Sequence, residues 1–409
     1  MKSNIYLDNA ASTKPTKAVL EAMKPFLEGY FGNPSSLHEL GVSSKQTINS
    51  SREQVAKVLN CRPSETIFTS GGTESINLAI FGVAKSYLQQ NKKPGRIIVS
   101  EIEHEAVLES VKALKTEGWK IDFLPVDKLG FVHPKDLSNL IKPDTALVSI
   151  MYANNEVGSI QPIAQLGSLI SGINRTRKSK NLPNVVFHTD ACQAGGSLEL
   201  DILKLKVDLL TLNGSKINGP KGAGILFVRT GTKIKPLIYG GGQERGLRSG
   251  TENTPAIIGF TTALQLAQKN RLKNVKTLHN LQTFLEINLK KIAGVMINGP
   301  KNSKLIESEF NFGLHKLPGT TNFSVKNVES ESLMLYLDAA GFAVATGSAC
   351  TTGSEDPSHV LLAMGIKPAL AKSTIRISLG YNITKANLSK FVTVLSKTVG
   401  MLRKTQQDI

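Results

Sequence analysis

Between His188 and Gly222 the chain reads HTDACQAGGSLELDILKLKVDLLTLNGSKINGPKG, and three of its side chains, Asp190, Gln193 and Lys216, place an acid, an amide and an amine in an otherwise apolar, strand-like context. An amine can hold an aldehyde as a Schiff base, and a carboxylate can keep a pyridine nitrogen protonated so that the ring becomes an electron sink. Those are the requirements of a pyridoxal phosphate site, with Lys216 for the aldehyde and Asp190 for the ring nitrogen. The apolar runs VVFH and VDLLTL precede the two residues. Both side chains are therefore expected at the carboxyl ends of neighbouring buried strands, where open α/β sheets bind ligands. Taken singly, Asp190 also reads as an ordinary strand-end carboxylate and Lys216 as a solvated loop lysine. Together, with Gly214, Gly219 and Gly222 around the lysine, they favour the site.

Other segments carry groups of the same kind. Ser70-Gly71-Gly72-Thr73-Glu74-Ser75 lies between the strand-like ETIFT and the helical INLAIFGVAKSYL. This arrangement puts a glycine turn at a helix N-terminus, where free N–H groups and the helix dipole favour a phosphate. The plainer reading is a capped helix start with Thr73 as N-cap. His104 follows the strand RIIVS and begins a helix, so its ring is expected at the same sheet edge, either stacked on a cofactor or as a hydrogen-bonded cap. Asn154, Asn155 and Glu156 follow TALVSIM at the equivalent edge of another strand. Cys350, in ATGSACTTGSEDP, reads as a reactive thiol on a mobile surface loop, since a free thiol is a few per cent thiolate at neutral pH. Cys61 and Cys192 read as packing residues. Arg376, alternating in STIRISLG, points to one strand face, where a buried arginine implies a carboxylate partner from the protein or from a substrate.

These groups must be positioned by a chain of 409 residues, longer than one core usually supports, so two domains are expected. Apolar runs alternate with helical patterns from RIIVS to GILFVR, a βαβ rhythm that implies an α/β fold with a mainly parallel sheet. After Thr251 the texture changes to long amphipathic helices and short strands (TNFSV, FAVAT, TIRIS), which reads as a smaller α+β domain. No repeat or low-complexity tract is present. The N-terminus lacks an apolar h-region and no stretch approaches the ~20 apolar residues of a membrane span, so a cytoplasmic protein with no membrane partner is expected. Three cysteines are too few for a disulfide framework and match no zinc spacing. The net charge of +17 raises a polyanionic partner. The densest basic cluster, Arg175, Arg177, Lys178 and Lys180, lacks interleaved aromatics and reads as an exposed helix-to-strand loop, so no direct nucleic-acid binding is expected.

Read together, YLDNAAST, FGNPSSLHELG, FTSGGTES, EHEAV, ANNEVG, HTDACQ, GPKGAG, GGGQERGLRSGT, TGSACTTG and STIRISLG resemble, in order and nearly end to end, the cysteine desulfurases of the class V aminotransferase group, in the branch serving nitrogenase and iron–sulfur cluster assembly. The resemblance implies a fold-type I pyridoxal phosphate enzyme and a homodimer with shared active sites. A large domain at residues 15–255 would hold a mainly parallel seven-stranded sheet, and a smaller domain would comprise residues 1–14 plus 256–409. It also implies roles: Lys216 on the cofactor aldehyde, Asp190 on the pyridine nitrogen, Gln193 on the ring hydroxyl and His104 stacked on the ring. Gly72, Thr73, Asn213 and Ser215 would lie at the phosphate, with Thr251 reaching it from the partner subunit. Asn155 and Arg376 would hold the carboxylate of the substrate, L-cysteine. Cys350 would take the substrate sulfur as a persulfide and pass it to an acceptor protein, an iron–sulfur scaffold or a tRNA-thiolation enzyme, with His104 supplying protons. The sequence ends at RKTQQDI, and docking of a scaffold through a long tail is not expected.

Two competing readings share these residues. An aminotransferase or a selenocysteine lyase would use Lys216, Asp190 and Arg376, but transamination has no use for a loop thiol. A sulfur carrier with a degenerate cofactor site is the non-enzymatic alternative. It is motivated by Asn213-Gly214-Ser215-Lys216, where the family usually reads Ser-x-His-Lys. The changed residues still donate hydrogen bonds but remove a possible imidazolium, and a bond to a charged group contributes roughly 1.5–3 kcal/mol. The purified protein is therefore expected to lose cofactor on dialysis and to regain it when cofactor is added, followed by absorbance. Full occupancy retained through dialysis contradicts this.

Overall fold

The computed structural model describes residues 5–305, 310–346 and 356–407, so Cys350 lies outside the described residues. In chain order the strands are β1 (Ile5–Tyr6), β2 (Thr66–Thr69), β3 (Arg96–Ser100), β4 (Lys120–Leu124), β5 (Thr145–Ser149), β6 (Val186–Asp190), β7 (Leu209–Asn213), β8 (Gly224–Val228), β9 (Val295–Asn298), β10 (Thr320–Val325), β11 (Phe342–Ala343), β12 (Ala345–Thr346) and β13 (Thr374–Ser378). Seven form one sheet in the order β2-β8-β7-β6-β5-β3-β4. The run β4-β3-β5-β6-β7 is parallel throughout, and β8 runs antiparallel to both β2 and β7. The fold is α/β, with a mostly parallel central sheet.

The burial of β5, β7 and β8 explains why these segments read as nearly continuous apolar runs: both faces of the sheet are covered. Successive residues feed opposite cores. Ile98, Val148, Phe187 and Leu210 pack on one face, and Ile97, Val99, Leu147 and Leu209 on the other. Helix Thr254–Lys269 packs against Lys17–Glu28 and Glu39–Leu59, and its Ile257, Phe260 and Leu264 belong to the first of these cores. In the following helix, Arg271–Leu289, Val275 still belongs to that core while Leu278, Leu281 and Leu285 enter a separate one with Phe323, Ile375 and Phe391. The change of core thus falls inside this helix rather than near residue 255.

The second core backs a four-stranded sheet ordered β12-β13-β10-β9. The N-terminus joins it through β1, which pairs in parallel with β11, and through Leu7. FAVAT, read as one strand, divides at Val344, because β11 pairs with β1 while β12 pairs with β13. Arg177 also differs from its expected exposed setting. It is buried, and its guanidinium donates to the carbonyls of Pro183, Lys142, Pro143 and Thr145, so it closes the helix-to-strand turn instead of offering charge to a partner.

Lys316, almost wholly buried, lies in the segment whose backbone bridges to Ser159 in the loop after β5. Its Nζ donates to Glu286 Oε1 at 2.7 Å, and Thr321 Oγ1 donates to the same oxygen. Burial pulls the lysine below its ordinary pKa and the glutamate opposes this. Glu286→Ala leaves the amine buried without its counter-ion, and urea unfolding should show a loss of about 3–5 kcal/mol; the double variant with Lys316→Met should recover most of it.

Candidate active site

Because these strands run the same way, their carboxyl ends share one edge, and the candidate residues gather there. β2 leads into Ser70–Thr73, β3 into His104, β5 into Asn155, β6 ends at Asp190, and β7 ends at Asn213, just before Lys216. Asp190 stands opposite Thr211 in the β6–β7 register.

The chain turns sharply after β7. Asn213 Oδ1 accepts from the N–H and Oγ of Ser215, capping the short 3-10 turn Gly214–Lys216. A Cβ on Gly214 would meet Pro220 O at 2.8 Å, so only glycine allows the turn to pack so closely. Lys216 Nζ donates to Ala10 O at 2.9 Å and Ala11 O at 2.7 Å, while Gln193 Nε2 donates to Ala10 O at 3.0 Å. Thr13 closes the same contact by bonding Ser215 O. The N-terminal segment thus lies over the lysine, and Asn9, Thr13, Gln193 and Tyr381 join Lys216 around a cavity of about 60 Å³.

Asp190 is buried and accepts from the Cys192 N–H at 2.9 Å. Cys192 is buried too, and burial followed by the Asp190 charge pushes its thiol well up. Its Sγ lies 2.9 Å from where a Cβ on Gly72 would sit, so a glycine at 72 lets the phosphate-type turn approach the aspartate strand. Helix Gly72–Asn91 begins with Gly71 as N-cap and no capping side chain. Thr73 is therefore not the cap; it is exposed in the first turn, near N–H groups that no side chain satisfies.

A layer of ionisable groups lies behind Asp190. His188 is fully buried between Ser149 Oγ and Thr211 Oγ1, and burial pulls its pKa down to about 4 against the pull of Asp190. Glu103 accepts from Ser100 Oγ at 2.5 Å and Met151 N at 2.8 Å through Oε1, while its buried Oε2 has no partner among the described residues. Burial, with Asp190 adding, pushes its carboxyl up to about 8. Neither His188 nor Glu103 was singled out from sequence, although HTDACQ and EHEAV contain them. A lone His or Glu inside a motif carries no signal of burial.

His104 is the N-cap of helix Glu105–Thr116, and its Nδ1 accepts from Ala106 N at 3.0 Å, which leaves Nε2 to carry the proton. Arg376, on β13, reaches across to the large sheet. Its Nη2 meets Asp8 Oδ1 at 2.8 Å and its Nη1 donates to Asn155 O at 3.2 Å. Asp8 and Ala10 are contributors that periodicity did not reveal. Thr251 stands apart: it is exposed and lines another cleft with Phe68, Ser70, Glu244 and Arg248. Immediately after the undescribed residues 347–355, Ser358 Oγ donates to buried Glu156 at 2.5 Å and His359 Nε2 meets Glu103 O at 3.0 Å, fastening the chain to this edge. Among the described residues no group of His, Cys, Asp or Glu is placed to hold a metal ion, and no helix is long and apolar enough to cross a membrane.

The model of the aminotransferase class-V family matches residues 5–391 of this chain. The chain belongs to the aminotransferase class-V family. Within it, the chain is 43% identical over 404 residues to cysteine desulfurase IscS of Dictyoglomus turgidum, covering 98% of this chain and 96% of that protein. Among solved structures it is similar to a NifS-like protein (36% identical, TM-score 0.87, 98% of this chain and 100% of that one). It is also similar to SspA in complex with cysteine (34% identical, TM-score 0.75, 91% and 98%). Class-V aminotransferases are pyridoxal phosphate enzymes, which gives the lysine–aspartate edge its chemical context.

The buried Glu103 sets a dependence on pH. Its carboxyl binds a proton more tightly folded (about 8) than unfolded (4.5), so its contribution is fully present below pH 4.5 and is lost as pH rises through 8. Urea unfolding between pH 6 and pH 9 should show a loss on the order of a few kcal/mol that Glu103→Gln largely removes. Parallel profiles for the two proteins would contradict this.

Proposed function

We propose that the protein is a pyridoxal phosphate-dependent cysteine desulfurase that converts L-cysteine to L-alanine and receives the sulfur on its own cysteine, Cys350. The observation that carries the reading is the convergence of three groups from distant segments: the Lys216 amine, the Asp190 carboxylate on the adjacent strand and the buried Arg376 guanidinium from the second sheet. The residues fit the cofactor. A buried carboxylate at Asp190 suits the ring nitrogen, and the uncapped helix start at Gly72, with the Thr73 and Ser215 hydroxyls and the Asn213 amide, suits a phosphate. Gln193 and the His104 ring would lie against the cofactor ring, and Thr251, exposed on this chain, would reach the phosphate from a second copy in a homodimer.

When bound, pyridoxal phosphate supplies the sink for the electron pair left at the substrate Cα. Arg376 and Asn155 hold the substrate carboxylate, which fixes the amino acid with its Cα hydrogen toward Lys216. The Lys216 amine takes that proton. His104, with its proton on Nε2, holds or returns a proton at the substrate. The Cys350 thiolate attacks the substrate sulfur: a sulfur–sulfur bond forms, the carbon–sulfur bond breaks with its electron pair left at Cβ, that carbon is protonated, the Lys216 ammonium returns the proton to Cα, and alanine leaves. The persulfide on Cys350 is then available to a sulfur acceptor protein, an iron–sulfur scaffold or a tRNA-thiolation enzyme, in the cytoplasm.

Purified protein supplied with pyridoxal phosphate should release equimolar sulfide and alanine from L-cysteine under reducing conditions. Cys350→Ala should abolish both products while keeping the cofactor absorbance, and Lys216→Ala should lose the absorbance of the bound aldehyde. No products from a protein that binds the cofactor would overturn the desulfurase reading.

A further inference from the structure

The second sheet carries a row of polar side chains in an otherwise apolar interior. Asn298 of β9 stands opposite Asn322 of β10, and Asn322 opposite Arg376 of β13. Directly opposed residues project from the same face of a sheet, so the three stand side by side. Asn322 is 0%, Arg376 2% and Asn298 5% exposed. Polar groups this deep are ordinarily hydrogen-bonded.

Asn298 meets that condition, donating to Asn322 Oδ1 at 2.7 Å and Ser324 Oγ at 2.9 Å. The first bond fixes the Asn322 amide with its oxygen toward Asn298, which turns Nδ2 to the Arg376 side. There Nδ2 has no partner among the described residues, and neither has Nε of Arg376, although Arg376 Nη1 and Nη2 are bound to Asn155 and Asp8. Two buried donors on adjacent strands, with no acceptor among the described residues, call for a group that only accepts. An ionised carboxylate is such a group, whereas a water there would need acceptors for its own hydrogens.

We propose that Asn322 is a second substrate-binding residue: its Nδ2–H and the Nε–H of Arg376 together hold an oxygen of the amino-acid carboxylate. The proposal rests on the reading of Arg376 as the carboxylate-holding residue. It makes the amide row a specificity device for α-amino acids over amines, because a ligand lacking the carboxylate leaves both donors unmet. Asn298 acts through Asn322 by fixing which way its amide faces.

The test compares wild type, Asn322→Ala, Asn322→Asp and Arg376→Lys as cofactor-loaded full chains. KM and kcat for L-cysteine are measured beside the shift in melting temperature produced by L-alanine and by ethylamine, which lacks the carboxylate. Asn322→Ala should raise KM for L-cysteine about tenfold, as expected for one hydrogen bond to a charged group, with a smaller fall in kcat. It should also weaken the L-alanine shift and leave the ethylamine response unchanged. Asn322→Asp keeps an oxygen for Asn298 but replaces the donor with an acceptor, so it should raise KM further; it also serves if the alanine variant does not fold. Unchanged KM in folded Asn322 variants beside a raised KM in Arg376→Lys overturns the proposal and leaves the Arg376 reading standing. A lowered melting temperature with unchanged KM shows an internal water in this place and also overturns it. Unchanged KM in Arg376→Lys removes the reading on which the proposal rests. A wild type that yields no sulfide sinks the desulfurase reading instead, and the L-alanine shift still decides the role of Asn322.

Discussion

The site depends first on the parallel pairing of β6 with β7. That pairing sets Asp190 against Thr211 and delivers Asp190 and Lys216 to one edge, one at the end of its strand and the other on the turn beyond the next. A shift of one residue in this register would turn Asp190 to the opposite face of the sheet and separate the acid from the amine. The antiparallel β8 completes the geometry by running between β7 and β2. A Cβ on its Gly224 would meet Gly71 Cα at 2.7 Å, so two glycines in contact bring the turn after β2 beside the turn that carries the lysine. The uncapped helix start and the turn that carries the amine therefore become neighbours through backbone packing.

Beneath this edge the interior governs the electrostatics. His188, at about 4, carries no charge near neutral pH, and Glu103, at about 8, is mostly protonated there. The layer behind Asp190 therefore brings neither a counter-ion that would neutralise the aspartate nor a second full negative charge that would crowd it. Ser149, Thr211 and Ser100 supply the hydrogen bonds that let such groups stay buried. The opposing cation is left to come from the ligand side, which is where a protonated ring nitrogen would sit.

The sequence was legible where the physics is local. Strands such as TALVS and LLTLN, buried on both faces, carry unbroken apolar runs, so their order and the strand-edge positions of Asp190 and Lys216 could be read from pattern. His104 as a cap was equally local. What failed depended on contacts between distant segments. FAVAT divides because its halves pair with strands far apart in the chain, and Arg177 is buried because it finds the carbonyls of another loop. Nothing in periodicity announces that Ala10 and Ala11 accept from Lys216, since backbone carbonyls are the same at every residue. Thr73 misled as a cap because a hydroxyl beside a glycine turn resembles one, while Gly71 takes that place.

The same distinction divides the site itself. The half that would face the cofactor on the proposed reading comes from short strand-to-loop motifs on one sheet, each positioned by its own turn. The half that would face the substrate on the proposed reading comes from Arg376, Asp8 and Asn155, which meet only when the N-terminal segment, the loop after β5 and the second sheet have all docked. Arg376 is bound by one carboxylate and one carbonyl and is nearly inaccessible, so each partner is costly to remove. The Lys316–Glu286 pair and the bridge from Ser159 to Lys316 hold the loop after β5 to the second unit, and with it the backbone oxygen of Asn155. If Arg376 and Asn155 hold the amino acid as proposed, substrate selection is built into the junction between the two units: a sequence change that loosens their contact should weaken recognition of the amino acid before it disturbs the strand edge that would hold the cofactor.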